Sequence, residues 1–134
     1  MAKPRVASPH LLYLILCDSV EPSNGKKNFL GTFDRISASE FPCIFRRFSI
    51  VTGWEGFEGD YVMNVEIEDP DGKQIFSSPP LGLRFQRPLC RADFIIEVEG
   101  LKLDRPGIYQ VQILLKNKRV SFYKVSVEKI QKAG

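Results

Sequence analysis

The chain has 134 residues, of which 43% are hydrophobic and 26% charged, with a net charge of +3. That length suits one domain that buries a core without metal or disulfide support, and the composition excludes a disordered chain. The small excess of positive charge does not imply nucleic acid unless it is clustered, and no apolar run approaches membrane-spanning length.

Residues 1–9, with two prolines, two basic residues and no periodicity, are expected to form a flexible arm. Lys3 and Arg5 ahead of Leu11–Leu16, with Cys17 next, have the order of a lipoprotein signal. Leu16 is too large for the position before cleavage and the apolar run is short, so a buried strand is the better reading. Residues 11–20 are apolar on both faces, which predicts a central strand covered on both sides. Asn24-Gly25 then signals a hairpin. The return strand, 28–37, carries Gly31, the mark of a bulge or a close backbone approach. In the strand 43–52, Arg46 and Arg47 are adjacent. One of them must face inward, sit at a strand end or lie beside a bulge. Residues 53–60, GWEGFEGD, read as a loop with glycine at every third position. Tyr61, Met63, Val65 and Ile67 alternate with polar residues as a half-exposed strand, and Asp69-Pro70-Asp71-Gly72 turns the chain into a short strand, 74–77. Pro79, Pro80 and Pro88 exclude residues 78–91 from a central strand. Alternation resumes at 93–99. A hairpin closes the domain: Tyr109, Val111, Ile113 and Leu115 form one face, Asn117-Lys118 is the turn, and Tyr123, Val125 and Val127 line the return. Residues 129–134 are a polar tail.

About eight strands at this spacing predict an all-β antiparallel β-sandwich over residues 10–128, immunoglobulin-like or related. A small barrel of the OB type is the alternative. The Pro106-Gly107-x-Tyr109 step suits a tyrosine corner, in which the hydroxyl bonds upstream backbone, with spacing one residue off the immunoglobulin pattern. Phe33, Val65, Ile67, Phe94, Ile96, Tyr109, Val111 and Ile113 are the expected core.

The ordered steps Leu16-Cys17-Asp18, Leu30-Gly31-Thr32-Phe33-Asp34-Arg35-Ile36, Phe41-Pro42, Asp69-Pro70-Asp71-Gly72 and Pro106-Gly107-Ile108-Tyr109 resemble a family of small uncharacterised bacterial β-sandwich proteins, a domain of unknown function. The resemblance spans residues 11–128 and implies a stand-alone bacterial cytoplasmic domain, with no activity or catalytic residue to transfer.

Chemical constellations are sparse. Cys17, Cys43 and Cys90 are odd in number and far apart, which suits reduced thiols and a cytoplasmic setting. His10 is the sole histidine, so neither a nucleophile–histidine device nor zinc spacing is present, and no cofactor or metal is expected. Asp18, Asp34 and Glu40 could converge as a carboxylate cluster, and Glu68, Asp69 and Asp71 could hold calcium. Strand-end ion pairs and a plain turn are the simpler readings. The expected function is therefore a non-catalytic interaction module. It would meet a protein partner, or a second copy, through loop 53–60 or an edge strand. Trp54 and Phe57 in that loop are the candidate anchors, although Trp54 could instead fold back as a lid on the sandwich. The alternative is a polyanion or nucleic-acid surface built from Arg84, Phe85, Arg87 and Arg91, with Arg46 and Arg47 in support.

Overall fold

A computed structural model describes residues 9–56, 58–86 and 90–131. The expected arm, apart from Pro9, and the last three residues of the tail lie outside that set, as do Phe57 and Arg87.

Among the described residues, ten strands form two sheets. They are β1 (His10–Ser23), β2 (Lys26–Phe33), β3 (Arg35–Ala38), β4 (Cys43–Gly56), β5 (Gly59–Glu68), β6 (Gln74–Ser77), β7 (Leu81–Phe85), β8 (Cys90–Leu103), β9 (Gly107–Leu115) and β10 (Lys118–Lys129). One sheet runs β2-β1-β4-β8, the other β3-β10-β9-β5-β6, with β7 also on β5. Every pairing is antiparallel except that of β3 with β10. The orders β1-β4-β8 and β10-β9-β5 match strands A-B-E and G-F-C of an immunoglobulin sandwich, and the expected tyrosine, Tyr109, is the third residue of β9. Tyr109 donates its hydroxyl to the Arg105 carbonyl at 2.8 Å. That bond closes a tyrosine corner.

Two strands exceed the expected eight. Asp34 splits the strand 28–37, so β3 crosses to the second sheet and lies parallel to the end of β10. The proline-rich connection contains β7, in which Leu83 and Phe85 point inward between exposed Gly82 and Arg84. Prolines at 79 and 80 precede this strand without interrupting it. The last turn also shifts by one residue. Lys116 and Asn117 both take positive φ, as a two-residue hairpin loop requires, and β10 begins at Lys118.

The core is continuous between the sheets and includes Val65, Ile67, Ile96, Tyr109, Val111 and Ile113 as expected. Phe33 and Phe94 are only half-buried at its margin. Arg46 and Arg47 both reach solvent because the strand kinks between them. The ladder from β4 to β8 passes from Phe45↔Leu101 to Arg47↔Glu99, and Gly100 at the gap has φ +64°. Inward positions move from Phe48 and Val98 on one side of that kink to Phe45 and Leu101 on the other.

The β1–β2 hairpin departs from the immunoglobulin plan. β1 pairs with β4 from His10 to Cys17, and β2 pairs with β1 from Leu16 onward. Phe29 sits opposite Val20, about 23 Å along an extended strand from Tyr13. Yet the rings of Tyr13 and Phe29 lie 6.4 Å apart, and Lys27 forms an ion pair with Asp93 on β8. The hairpin must therefore curl back over the outer face of the first sheet. Gly31, with φ +68°, allows the bend, and a Cβ there would collide with the Asp18 carboxylate. This cover accounts for Cys17 and Val51, which are fully buried yet stand outside the main core. β1 is thus covered on both faces over part of its length, while Leu12 stays exposed.

Candidate functional site

Most of the sequence-derived candidates are engaged in the fold itself. Trp54 lies within β4, opposite Ala92 of β8, and is 1% exposed. It shares the inward parity of Ile50 and Thr52, and its indole N–H donates to the Thr52 hydroxyl at 3.1 Å. A ring so placed offers no surface to a partner, so the anchor reading of Trp54 is corrected to a core residue. The stretch 53–60 is no free loop either: β4 continues to Gly56 and β5 starts at Gly59. Glycine spacing and three acidic residues concealed the strand, but the alternation Ile50, Thr52, Trp54 was there to be read. Phe57, its companion candidate, lies outside the described residues.

The polyanion set disperses in the same way. Phe85 is 1% exposed and meets Tyr61 edge-on, with ring centroids 6.0 Å apart, so it cannot stack on a base. Arg84 and Arg91 are exposed on different strands, paired with Asp60 at 3.5 Å and Glu55 at 3.0 Å. Arg47 is held by Glu97 at 2.6 Å and Glu99 at 4.0 Å, which raises its pKa further. Arg87 lies outside the described residues. Among the described residues, none of Arg47, Arg84 and Arg91 lies over an aromatic ring.

Among the acidic candidates, Asp34, Asp69 and Asp71 are committed to the fold. The Asp69 carboxylate accepts the backbone N–H of Asp71 at 2.9 Å and of Lys73 at 2.8 Å, and so builds the turn. Asp71 pairs with Arg105 at 2.5 Å. Asp18 packs beneath Gly31, and Asp34 pairs with Arg35 at 3.7 Å. No grouping of His, Cys, Asp and Glu suited to a metal occurs among the described residues. His10 opens β1 opposite Glu55. Burial raises the Cys17 thiol, helped by Asp18, and raises Cys43, so both are held as thiols at neutral pH.

The backbone at the sheet edges remains uncommitted. β8 is paired along its 14 residues with β4, and among the described residues no strand is hydrogen-bonded to its other side, although β6 and β7 approach it. β10 pairs with β9 from Lys118 to Val127, but β3 covers only Ser126–Lys129 of its other edge. Among the described residues, Lys118–Val125 therefore carry an open edge. Beside it lies a groove of about 330 Å³ lined by Leu14, Ile15, Leu16, Thr32, Phe33, Asp34 and Tyr123. β1 borders the same side, its edge unpaired by β2 from His10 to Ile15. Val120 and Phe122 on β10 are each 48% exposed. Sequence reasoning named an edge strand as a contact surface but could not say which one, since nothing in a strand's residues says which neighbour it lacks.

Comparison with known proteins then settles the relationship. A family model described as a family of unknown function, DUF6941, matches residues 12–128. The chain belongs to the DUF6941 family. No curated protein matches it. Among solved structures, a β-glucosidase from Listeria innocua aligns over 92% of this chain with a TM-score of 0.53 and 11% identity. The alkylpurine DNA glycosylase AlkC from Pseudomonas fluorescens, bound to DNA containing an abasic site analog, aligns over 86% with a TM-score of 0.50 and 13% identity. This DUF6941 chain spans only 17% of the first and 30% of the second. An immunoglobulin-like protein from Pseudomonas aeruginosa, covered over 97% of its length, gives a TM-score of 0.45 at 11% identity. At such identities the first two likenesses concern the fold alone.

Proposed function

We propose that this DUF6941 domain is a non-catalytic interaction module that takes a protein partner at an open sheet edge. The observation that carries the proposal is that, among the described residues, β8 along its whole length and β10 from Lys118 to Val125 each present one unpaired side. An extended segment can satisfy those backbone groups by adding a strand, with side-chain contacts supplying specificity. Natural sheets blunt edges that have no use with charge, kinks and bulges. β8 shows such protection in the Gly100 kink and in outward Asp93, Glu97 and Glu99, with Ile95 exposed among them; β10 carries Lys118, Arg119 and Lys124 and a bulge between Arg119 and Ser121, and keeps Val120 and Phe122 exposed beside its edge. The non-catalytic reading is supported by the raised thiols and by carboxylates that are spent on turns and ion pairs. A photo-crosslinking amino acid at Ile95 or Phe122 should capture discrete protein adducts in extract of the source cells. The same group at Val62, on the face of β5, should not. Equal labelling from all three positions would end the edge reading.

A further inference from the structure

Resting on that proposal, we infer that the receiving edge is β10, and that the occupant is an extended segment of a partner protein in which apolar and acidic residues alternate. Three observations converge on this. The first is direction. β3 lies parallel to β10, with Arg35 opposite Ser126, and the chain leaves this line at Asp34 for the other sheet. A partner strand that continues the line of β3 backward would lie parallel to β10 alongside Ser121–Val125. A register shift between Arg119 and Ser121 interrupts the ladder there, so the usable edge is about five residues, an ordinary strand length.

The second is the groove. Successive residues of the added strand would face opposite sides. Those facing inward would meet Leu14, Phe33 and the Tyr123 ring over buried Leu16, with Thr32 and Asp34 forming a polar part of the same lining. This margin explains why Phe33 is not fully enclosed.

The third is charge. Outward residues of the added strand would meet Phe122 and Lys124, with Lys118 and Arg119 beyond the bulge. None of these three cations has a carboxylate partner among the described residues, and the Arg119 guanidinium rests over the Phe122 ring, 5.3 Å from its centroid. β8 differs: Asp93 is taken by Lys27, and Glu97 and Glu99 by Arg47. Asp34, the one carboxylate lining the groove, is paired with Arg35. An acidic strand therefore complements β10, and a basic one does not.

The test uses the full chain labelled for backbone amide NMR and a soluble peptide alternating valine and glutamate, with a valine–lysine peptide as counterpart. The glutamate peptide should shift amides of Ser121–Ser126 and Phe33–Arg35, with binding that weakens as salt rises. Combined Arg119→Glu and Lys124→Glu changes should weaken it about tenfold, because two favourable rim contacts become repulsive. Lys124→Gln alone should have a smaller effect in the same direction. Equal binding of the lysine peptide would overturn the charge assignment. Shifts confined to β8 would overturn the choice of β10 while leaving strand addition at an edge intact. Silence from both peptides at millimolar concentration would overturn the inference, and the crosslinking experiment would still judge the broader proposal.

Discussion

Tyr109→Phe removes one hydroxyl from the corner that joins the two sheets. The ring is 2% exposed and stays buried in the variant, so packing changes little. The bond to the Arg105 carbonyl, 2.8 Å long, is lost. A net hydrogen bond contributes about 1 kcal/mol, and a buried acceptor left without a partner adds to the cost. The Arg105 bond is only part-buried, so water can meet the carbonyl in part, and the expected loss is about 1–1.5 kcal/mol. The corner is also held elsewhere. Arg105 pairs with Asp71, and Pro70 packs on Gly107 so closely that a Cβ there would sit 2.6 Å from its ring. The variant should therefore fold, with its urea midpoint lowered at an unchanged m value and its melting temperature down by about 2–5 °C. Alkaline pH supplies a second readout. Burial, with Asp69 and Asp104 nearby, raises the Tyr109 pKa above its ordinary value. The folded state then holds the proton more tightly than the unfolded state. Stability from this group is complete below about pH 10 and is lost as pH rises through the folded value. The gap between wild type and variant should accordingly narrow above pH 10. A midpoint change worth less than about 0.3 kcal/mol, or a gap that stays constant with pH, would refute the assignment of the hydroxyl as a structural donor.

Trp54 should emit in the blue and resist acrylamide at every protein concentration, and Trp54→Ala should cost about 3–5 kcal/mol. Red-shifted, easily quenched emission from the folded domain would restore it as a surface residue. Gly31→Ala should destabilise by about 1–2 kcal/mol because alanine resists positive φ, with part of the loss recovered in combination with Asp18→Ala. A neutral Gly31→Ala in urea titration would mean that the curl of the β1–β2 hairpin does not depend on this bend.

Local pattern carried the fold class. Period-two alternation in 61–67, 93–99 and 109–115 defined strands and their inward residues, because side chains change face at every step. Asn24-Gly25 marked its turn through the need for positive φ, and the tyrosine corner was legible from Pro106-Gly107-Ile108-Tyr109. The family steps were legible too, since they are short and contiguous in the chain. Where glycine, proline and acidic residues crowd together, local signals described a loop that the tertiary structure overrode. Pairing with β8 as far as Gly56↔Cys90 holds Trp54 in a strand, and pairing with β5 turns 81–85 into β7. The sheet edges belong to the tertiary structure alone. A strand's own residues reveal which face is buried, whereas the lack of a neighbour on one side depends on where every other strand has gone. β3 joins β10 only at Arg35, opposite Ser126, because the chain before it runs in β2 of the opposite sheet and crosses at Asp34. That crossing leaves Lys118–Val125 open, and no property of those eight residues by themselves could have announced it.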